Sequence, residues 1–339
     1  MTRLLTVVSS AHEMDVVDGK HPTGYWAEEV GKPLERFRQA GIELTVATPD
    51  GKRPKPDDWS LAPYFHYPDA DEDFMRSVFR SFARDAEDTL VTLHHLTELN
   101  IVAARRVHKA LVAAGMDPQE SRARVEALAK TAYEDNRDFV DVLAGDADVV
   151  AYVDAARLQE IADEVASDAE REASELAGRL AADDALNTPK DLREITDEEI
   201  DGFDGVFVPG GHGPMVDLNA NPDMRRVLQR MHRSNKTIAA LCHGPAALLS
   251  AGEGADGAWL FDGYKMTAFT DEEEDQTQAA RRGIVWYLED ALKSSGAVFD
   301  DAEAAWVSHV VVDRNLITAQ NPSSSEAAAA AVLKRLELL

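Results

Sequence analysis

Ala239-Ala-Leu-Cys-His-Gly-Pro-Ala-Ala-Leu248 changes character partway through. The apolar run that enters it from Thr237 stops at Leu241, as a strand buried on both faces would. A helix is expected two or three residues later, with Pro245 fitting its first turn. Cys242 therefore falls on a sharp strand-to-helix turn, the geometry of a nucleophile elbow, and Ala240 and Gly244 leave room for a strained backbone. The expected helix N-terminus beneath the sulfur would stabilise a thiolate. A free cysteine can also pack simply as a small hydrophobe. His243, an adjacent base, favours the reactive reading.

Strand and helix alternate on either side of this turn. Arg3-Leu-Leu-Thr-Val-Val-Ser9 is a short apolar run rich in β-branched residues, suited to a buried strand. Residues 32–40 read as a helix with Pro33 in the first turn and Gly41 past the end. Ile42-Glu-Leu-Thr-Val-Ala-Thr48 follows as a strand, stopped by Pro49-Asp50-Gly51. Together these make a βαβ unit, whose right-handed crossover implies a parallel sheet. Gly205-Val-Phe-Val208 and Tyr264-Lys-Met-Thr-Ala-Phe269 add strands. Residues 307–312 and 316–318 flank Asp313-Arg-Asn315 as a hairpin, and residues 325–339 read as an alanine-rich helix.

Residues 66–190 differ: acidic side chains outnumber basic ones, and β-branched runs are scarce. Leu158, Ile161, Val165, Ala169, Ala173, Leu176 and Leu180 recur at steps of three and four, the apolar stripe of an amphipathic helix. Residues 74–114 and 121–133 also read as helical. The expected organisation is an α/β core domain from residues 1–65 and 191–339, interrupted at 66–190 by a helical insertion or cap. The acidic face of that segment is read as solvated.

Composition narrows the function. Of 339 residues, 45% are hydrophobic, enough for a sizeable core, and 62 acidic against 35 basic side chains give −27. Such a surface repels phosphate backbones and anionic leaflets, so neither nucleic acid nor membrane is an expected partner. The single cysteine excludes an intramolecular disulfide. A cytoplasmic location is the expectation.

Three further segments carry candidate chemistry. Val208-Pro-Gly-Gly-His-Gly-Pro214 follows a strand, and its glycines free backbone N–H groups to face a cleft as an oxyanion hole requires. Phe269-Thr-Asp-Glu-Glu-Glu-Asp275 offers four carboxylates, Asp271, Glu272, Glu273 and Glu274, one of which could orient His243. Gly24-Tyr-Trp-Ala-Glu-Glu-Val-Gly-Lys-Pro33 places Glu28 and Glu29 near the carboxyl end of the first strand, where clefts of open α/β sheets form. No His-x-x-x-His spacing calls for a metal.

As a set and in this order, these segments resemble the ThiJ/PfpI superfamily, also described as class I glutamine amidotransferase-like. The branch they look most like is that of the larger glyoxalase III proteins and stress chaperones. The matching motifs are the glutamate segment before Lys32-Pro33, Pro209-Gly-Gly-His-Gly213, Leu241-Cys-His-Gly-Pro245 and Thr267-Ala-Phe-Thr-Asp-Glu-Glu-Glu274. That branch often carries His-Pro where this chain has Lys32-Pro33, and residues 66–190 have no counterpart in the resemblance. It implies a flavodoxin-like fold, a mostly parallel sheet sandwiched by helices. It further implies Cys242 as nucleophile, His243 as its partner, Glu274 as the third member and Glu29 beside the sulfur, with Gly210, Gly211 and His212 lining the oxyanion and substrate side. The implied activity is cofactor-free, metal-free conversion of a small 2-oxoaldehyde to a hydroxy acid. Hydrolysis by the same residues, as a deglycase or amidase, and a holdase chaperone role are the alternatives, and a homodimer is compatible with all three.

Overall fold

The computed structural model describes residues 1–62, 100–254 and 257–338. The chain forms two compact units, Met1–Leu61 with Leu176–Leu339, and Ala62–Glu175. In the first, the strands are β1 (Arg3–Val7), β2 (Glu13–Val16), β3 (Gly19–Pro22), β4 (Glu43–Thr48), β5 (Lys190–Asp191), β6 (Gly205–Val208), β7 (Thr237–Leu241), β8 (Lys265–Met266), β9 (Val298–Phe299), β10 (Val310–Asp313) and β11 (Leu316–Ala319). Seven of them form one sheet in the order β10-β11-β7-β6-β1-β4-β5. Every ladder in it is parallel except β10 with β11, the hairpin expected around Asp313-Arg-Asn315. The architecture is flavodoxin-like.

Side chains alternate across this sheet with the period of two that a pleat imposes. Leu5, Val7, Val206, Val208, Ile238, Ala240 and Leu316 point to one face, where they pack with Met224, Val227, Leu228 and Met231 of the helix Pro222–Arg233. Leu4, Phe207, Ala239, Leu241, Ile317 and Ala319 point to the other, against Val30, Leu34 and Phe37 of the helix Ala27–Gln39 and Val332 and Leu333 of the helix Ser325–Arg335. Burial on both faces is why these strands read as unbroken apolar runs. Because the central strands are parallel, their carboxyl ends lie along one edge, and the loops after β1, β6 and β7 meet there.

Several elements differ from expectation. The first helix begins at Ala27, not residue 32, because its leading N–H donates to Ser60 Oγ at 3.0 Å, a cap from a distant 3-10 turn, Asp58–Leu61. The strand expected at 264–269 shrinks to β8, paired with β9 outside the main sheet. The antiparallel β2–β3 hairpin and the two-residue β5 had no sequence counterpart.

The second unit is helical where it is described. Its helices include Ala104–Ala113, Pro118–Glu134 and Phe139–Ala144, the last two capped by Asp117 and Asp138 side chains that accept N–H groups of the first turn. Residues 74–99 of the expected helical stretch lie outside the described residues. The apolar stripe does form one helix, Ala155–Ala182. Leu158, Ile161 and Val165 pack in the second unit's core, whereas Leu176 and Leu180 belong to the first. The second compact unit, which holds most of the segment expected at 66–190, runs from Ala62 to Glu175.

Phe37 is fully buried, edge-on to Phe207 with ring centroids 5.5 Å apart. Phe37→Ala should lower the unfolding free energy by about 3–5 kcal/mol through the cavity it leaves. Urea titration followed by circular dichroism measures this, and a loss under about 1 kcal/mol would show that the helix does not depend on that contact.

Candidate active site

Cys242 sits at the end of β7 with φ +60°, a left-handed backbone that a non-glycine residue rarely adopts. Two hydrogen bonds hold it there: its N–H donates to the Ala319 carbonyl at 2.8 Å, and its own carbonyl accepts from the Phe269 N–H at 2.9 Å. The helix that follows, Ala246–Leu249, is a single turn. It supplies no appreciable macrodipole, so the thiolate stabilisation expected from it is absent.

The neighbouring side chains form a connected line. Cys242 Sγ lies 3.3 Å from His243 Nδ1, and His243 Nε2 lies 2.7 Å from Glu274 Oε2. Glu274 Oε1 is 2.8 Å from His212 Nε2 and accepts the Thr277 hydroxyl at 2.8 Å. Of the four candidate carboxylates, only Glu274 meets His243. Glu273 instead closes a capping box with Thr270 and accepts from Gln320, Asn321 and the Trp306 N–H. The Thr-x-x-Glu spacing of Thr270 and Glu273 was the sequence signal that could have set Glu273 aside.

The other glutamate pair separates just as cleanly. Glu28 turns outward to Lys32 at 2.5 Å. Glu29 is fully buried, and its Oε2 accepts the Gly210 N–H at 2.8 Å. A side chain on Gly210 would sit 2.7 Å from that oxygen, so the approach needs glycine. Glu29 Oε1 has no partner of good hydrogen-bond geometry, and the polar side chain beside the carboxyl is Cys242. Gly211, at φ +80°, aims its N–H at the sulfur. The expected residues Cys242, His243, Glu274, Glu29, Gly210 and Gly211 thus come together. His212, expected on the oxyanion side, has its ring on Glu274. Thr277 and the buried Asp57, whose charge is felt by His212, were missed; nothing local marks them.

Electrostatics assigns the protons. Burial pushes Glu29 up to about 8 against the pull of Cys242 and the Gly210 N–H, so the carboxyl is mostly protonated at neutral pH. Burial and the neighbouring Glu29 push the Cys242 thiol well up, with the Gly211 N–H opposing. Burial, aided by the charge of His212, lowers His243 to about 4. Burial works against an ionised Glu274, but His212 and His243 outweigh it and hold the carboxyl well below the usual range. An ionised Glu274 can only accept hydrogen bonds. Both histidines therefore carry a proton on Nε2, and neutral His243 turns a bare Nδ1 toward the thiol. His212, His243 and Glu274 donor atoms also lie within 4.8 Å of one another. An ion entering there would have to break both imidazole–carboxylate hydrogen bonds.

A buried cysteine on a strained turn, in line with a histidine and a carboxylate, thus lies at the carboxyl edge of a flavodoxin-like α/β sheet. The chain belongs to the DJ-1/PfpI family, whose model matches residues 139–335. The match begins inside the segment that had no counterpart in the sequence resemblance. Among curated relatives, human glutamine amidotransferase-like class 1 domain-containing protein 1 is 38% identical over 38% of this chain. Glyoxalase 3 of Candida albicans is 27% identical over 44%, and the Escherichia coli protein/nucleic acid deglycase HchA 32% over 42%. These alignments span 58%, 64% and 50% of the relatives' own lengths. The crystal structure of glyoxalase III from Candida albicans superposes with TM-score 0.57 at 20% identity, covering 98% of this chain and 96% of that one. At that identity the likeness is one of fold. No described helix is long and apolar enough to cross a membrane.

Glu29 gives a stability test with a defined sign. Its value rises from 4.5 to about 8 on folding, so its contribution is full below 4.5 and is lost as pH rises through about 8. Glu29→Gln stays neutral throughout. The stability of wild type should therefore fall relative to Glu29→Gln across that window, read from urea midpoints at its two ends. A pH-independent difference would show that the carboxyl is not held protonated.

Proposed function

We propose that this protein converts a 2-oxoaldehyde such as methylglyoxal to its hydroxy acid without a cofactor. The observation that carries the reading is Glu29, a fully buried carboxyl beside Cys242 with an oxygen left unpartnered. Acyl transfer by cysteine and histidine does not need such a group. Moving a proton between adjacent carbons of a substrate held on sulfur does.

The steps use groups already in place. His243 Nδ1 takes the Cys242 proton as sulfur adds to the aldehyde carbon, C1. The Gly211 N–H stabilises the developing oxyanion, which then receives the proton back from His243 to give a hemithioacetal. Glu29, as carboxylate, removes the hydrogen from C1, the C1–C2 double bond forms, and the C2 oxygen takes the charge as an enediolate. Return of that proton from Glu29 to C2, with the C1 hydroxyl proton passing to the C2 oxygen, leaves a thioester carrying a C2 hydroxyl. Water then cleaves the thioester, releasing hydroxy acid and restoring the thiol. The net change is the addition of one water, with no external oxidant.

Deglycation by the same residues is the second reading, supported by the 32% identity to the HchA deglycase. It differs at the first step, where sulfur bonds to C1 as the C1–N bond breaks and the amine leaves with a proton, and it shares the steps from the hemithioacetal onward. The −27 charge supports a small neutral substrate rather than a polyanion, and a cytoplasmic site of action belongs to this reading.

Purified protein without glutathione should consume methylglyoxal, and Cys242→Ala should abolish the reaction. Equal rates in wild type and Cys242→Ala would overturn the proposal. Glu29 must be ionised to act as base, so kcat should rise with pH through about 8. Glu29→Gln should remove that limb and cost roughly 10²–10⁴-fold. Parallel rates on methylglyoxal and on an amine-bound adduct of it separate the two readings.

A further inference from the structure

A cysteine relay needs one imidazole on its carboxylate, and this site has two. His212 and His243 both donate Nε2–H groups to Glu274, at 2.8 and 2.7 Å, one to each oxygen. Their rings are stacked at a tilt, centroids 4.2 Å apart, and the ring of His243 also lies against Phe269 at 4.4 Å. His212 directly follows Gly210 and Gly211, whose N–H groups serve Glu29 and Cys242. One side chain therefore ties the oxyanion loop, the base and the carboxylate together.

A buried ionised carboxylate needs a countercharge. Among the described residues, the ion-pair partners of Glu274 are His212 and His243, with no lysine or arginine. His243 must remain neutral to accept the cysteine proton through Nδ1. That leaves His212 to carry the positive charge. The groups facing it are Glu274, the buried carboxylate of Asp57, the ring of His243, and His21 from β3, edge-on at 6.4 Å. Burial opposes the charged ring, and Glu274 with Asp57 outweighs it and pushes His212 up.

We propose that His212 is a positioning residue that stands as a permanent imidazolium between Glu274 and Asp57, fixing the oxyanion loop on the relay and keeping His243 neutral for Cys242. Its charge substitutes for the cation that a buried Glu274 would otherwise take by protonating His243. The inference concerns the resting protein and does not depend on which substrate is turned over.

The test is ¹⁵N NMR of histidine-labelled full-length protein, which reads ring protonation directly and needs no substrate. In wild type at pH 7, His212 should show an imidazolium and His243 a neutral ring protonated at Nε2. His212→Gln retains a donor for Glu274 but not the charge. In that variant the titration of His243 should move upward by about one pH unit or more. Below the limb set by Glu29, the further fall of kcat where His243 becomes charged should move by the same shift, with KM little changed. A merely structural role would lower kcat equally at every pH and leave the titration of His243 in place. A neutral His212 in wild type at pH 7, or an unmoved His243 in His212→Gln, would overturn the proposal. The wild-type spectrum decides alone if the variant does not fold.

Discussion

The left-handed backbone of Cys242 is the constraint around which the site is organised. A non-glycine residue in that region costs on the order of 1–3 kcal/mol and persists only where its surroundings over-determine it. Here β11 receives its N–H, and the segment leading to Glu274 donates to its carbonyl. The first bond locks the turn to the sheet, and the second draws the Glu274 helix to within reach of His243. Strain at one residue and the position of its carboxylate partner thus share a cause. The all-parallel centre of the sheet then brings Gly210, Gly211 and Cys242 to the same edge, and Glu29 arrives from the helix laid across it.

Three buried glutamates lie around the sulfur, and each is handled by different physics. Glu273 is surrounded by neutral donors and serves the backbone of its own loop. Glu274 is ionised against its burial by two imidazoles. Glu29, given one N–H and no cation, rises to about 8 instead. Identical side chains thus become scaffold, anion and proton store through their partners alone.

The fold was legible in proportion to how locally each element is specified. β1, β6 and β7 announce themselves as apolar runs because burial on both faces demands them. The helix start at Ala27 was hidden because its cap, Ser60, lies in another segment. β5, with only Lys190 and Asp191, is too short and polar to carry a period. At the site, the strand-turn character at Cys242 and the adjacent His243 were readable from the residues themselves. The choice of Glu29 over Glu28 and of Glu274 over its neighbours rested on resemblance, since burial and distance decide it and neither is periodic. The helix behind Cys242 was overread: Pro245 marks a beginning but says nothing about length. The ring of His212 escaped for a related reason, since a Gly-Gly-His-Gly loop does not disclose which way its one side chain turns.

The sheet is discontinuous in sequence, and that has a consequence for how it is made. β1 pairs with β4 on one side and with β6 on the other, Leu4 opposite Gly205. The whole second unit, Ala62–Glu175, is synthesised between those partners. At ribosomal speed the first two strands wait on the order of ten to thirty seconds for β6, with one long edge unsatisfied. The described helices that emerge in the meantime, such as Ala104–Ala113 and Pro118–Glu134, are built from local contacts and fold far faster than that. The order of assembly is therefore inside before outside: the inserted unit can be complete while the main sheet of the domain it interrupts still holds only β1 and β4. During that interval the β1 edge that will receive β6 stays unpaired, an open strand edge of the kind that invites pairing with other chains.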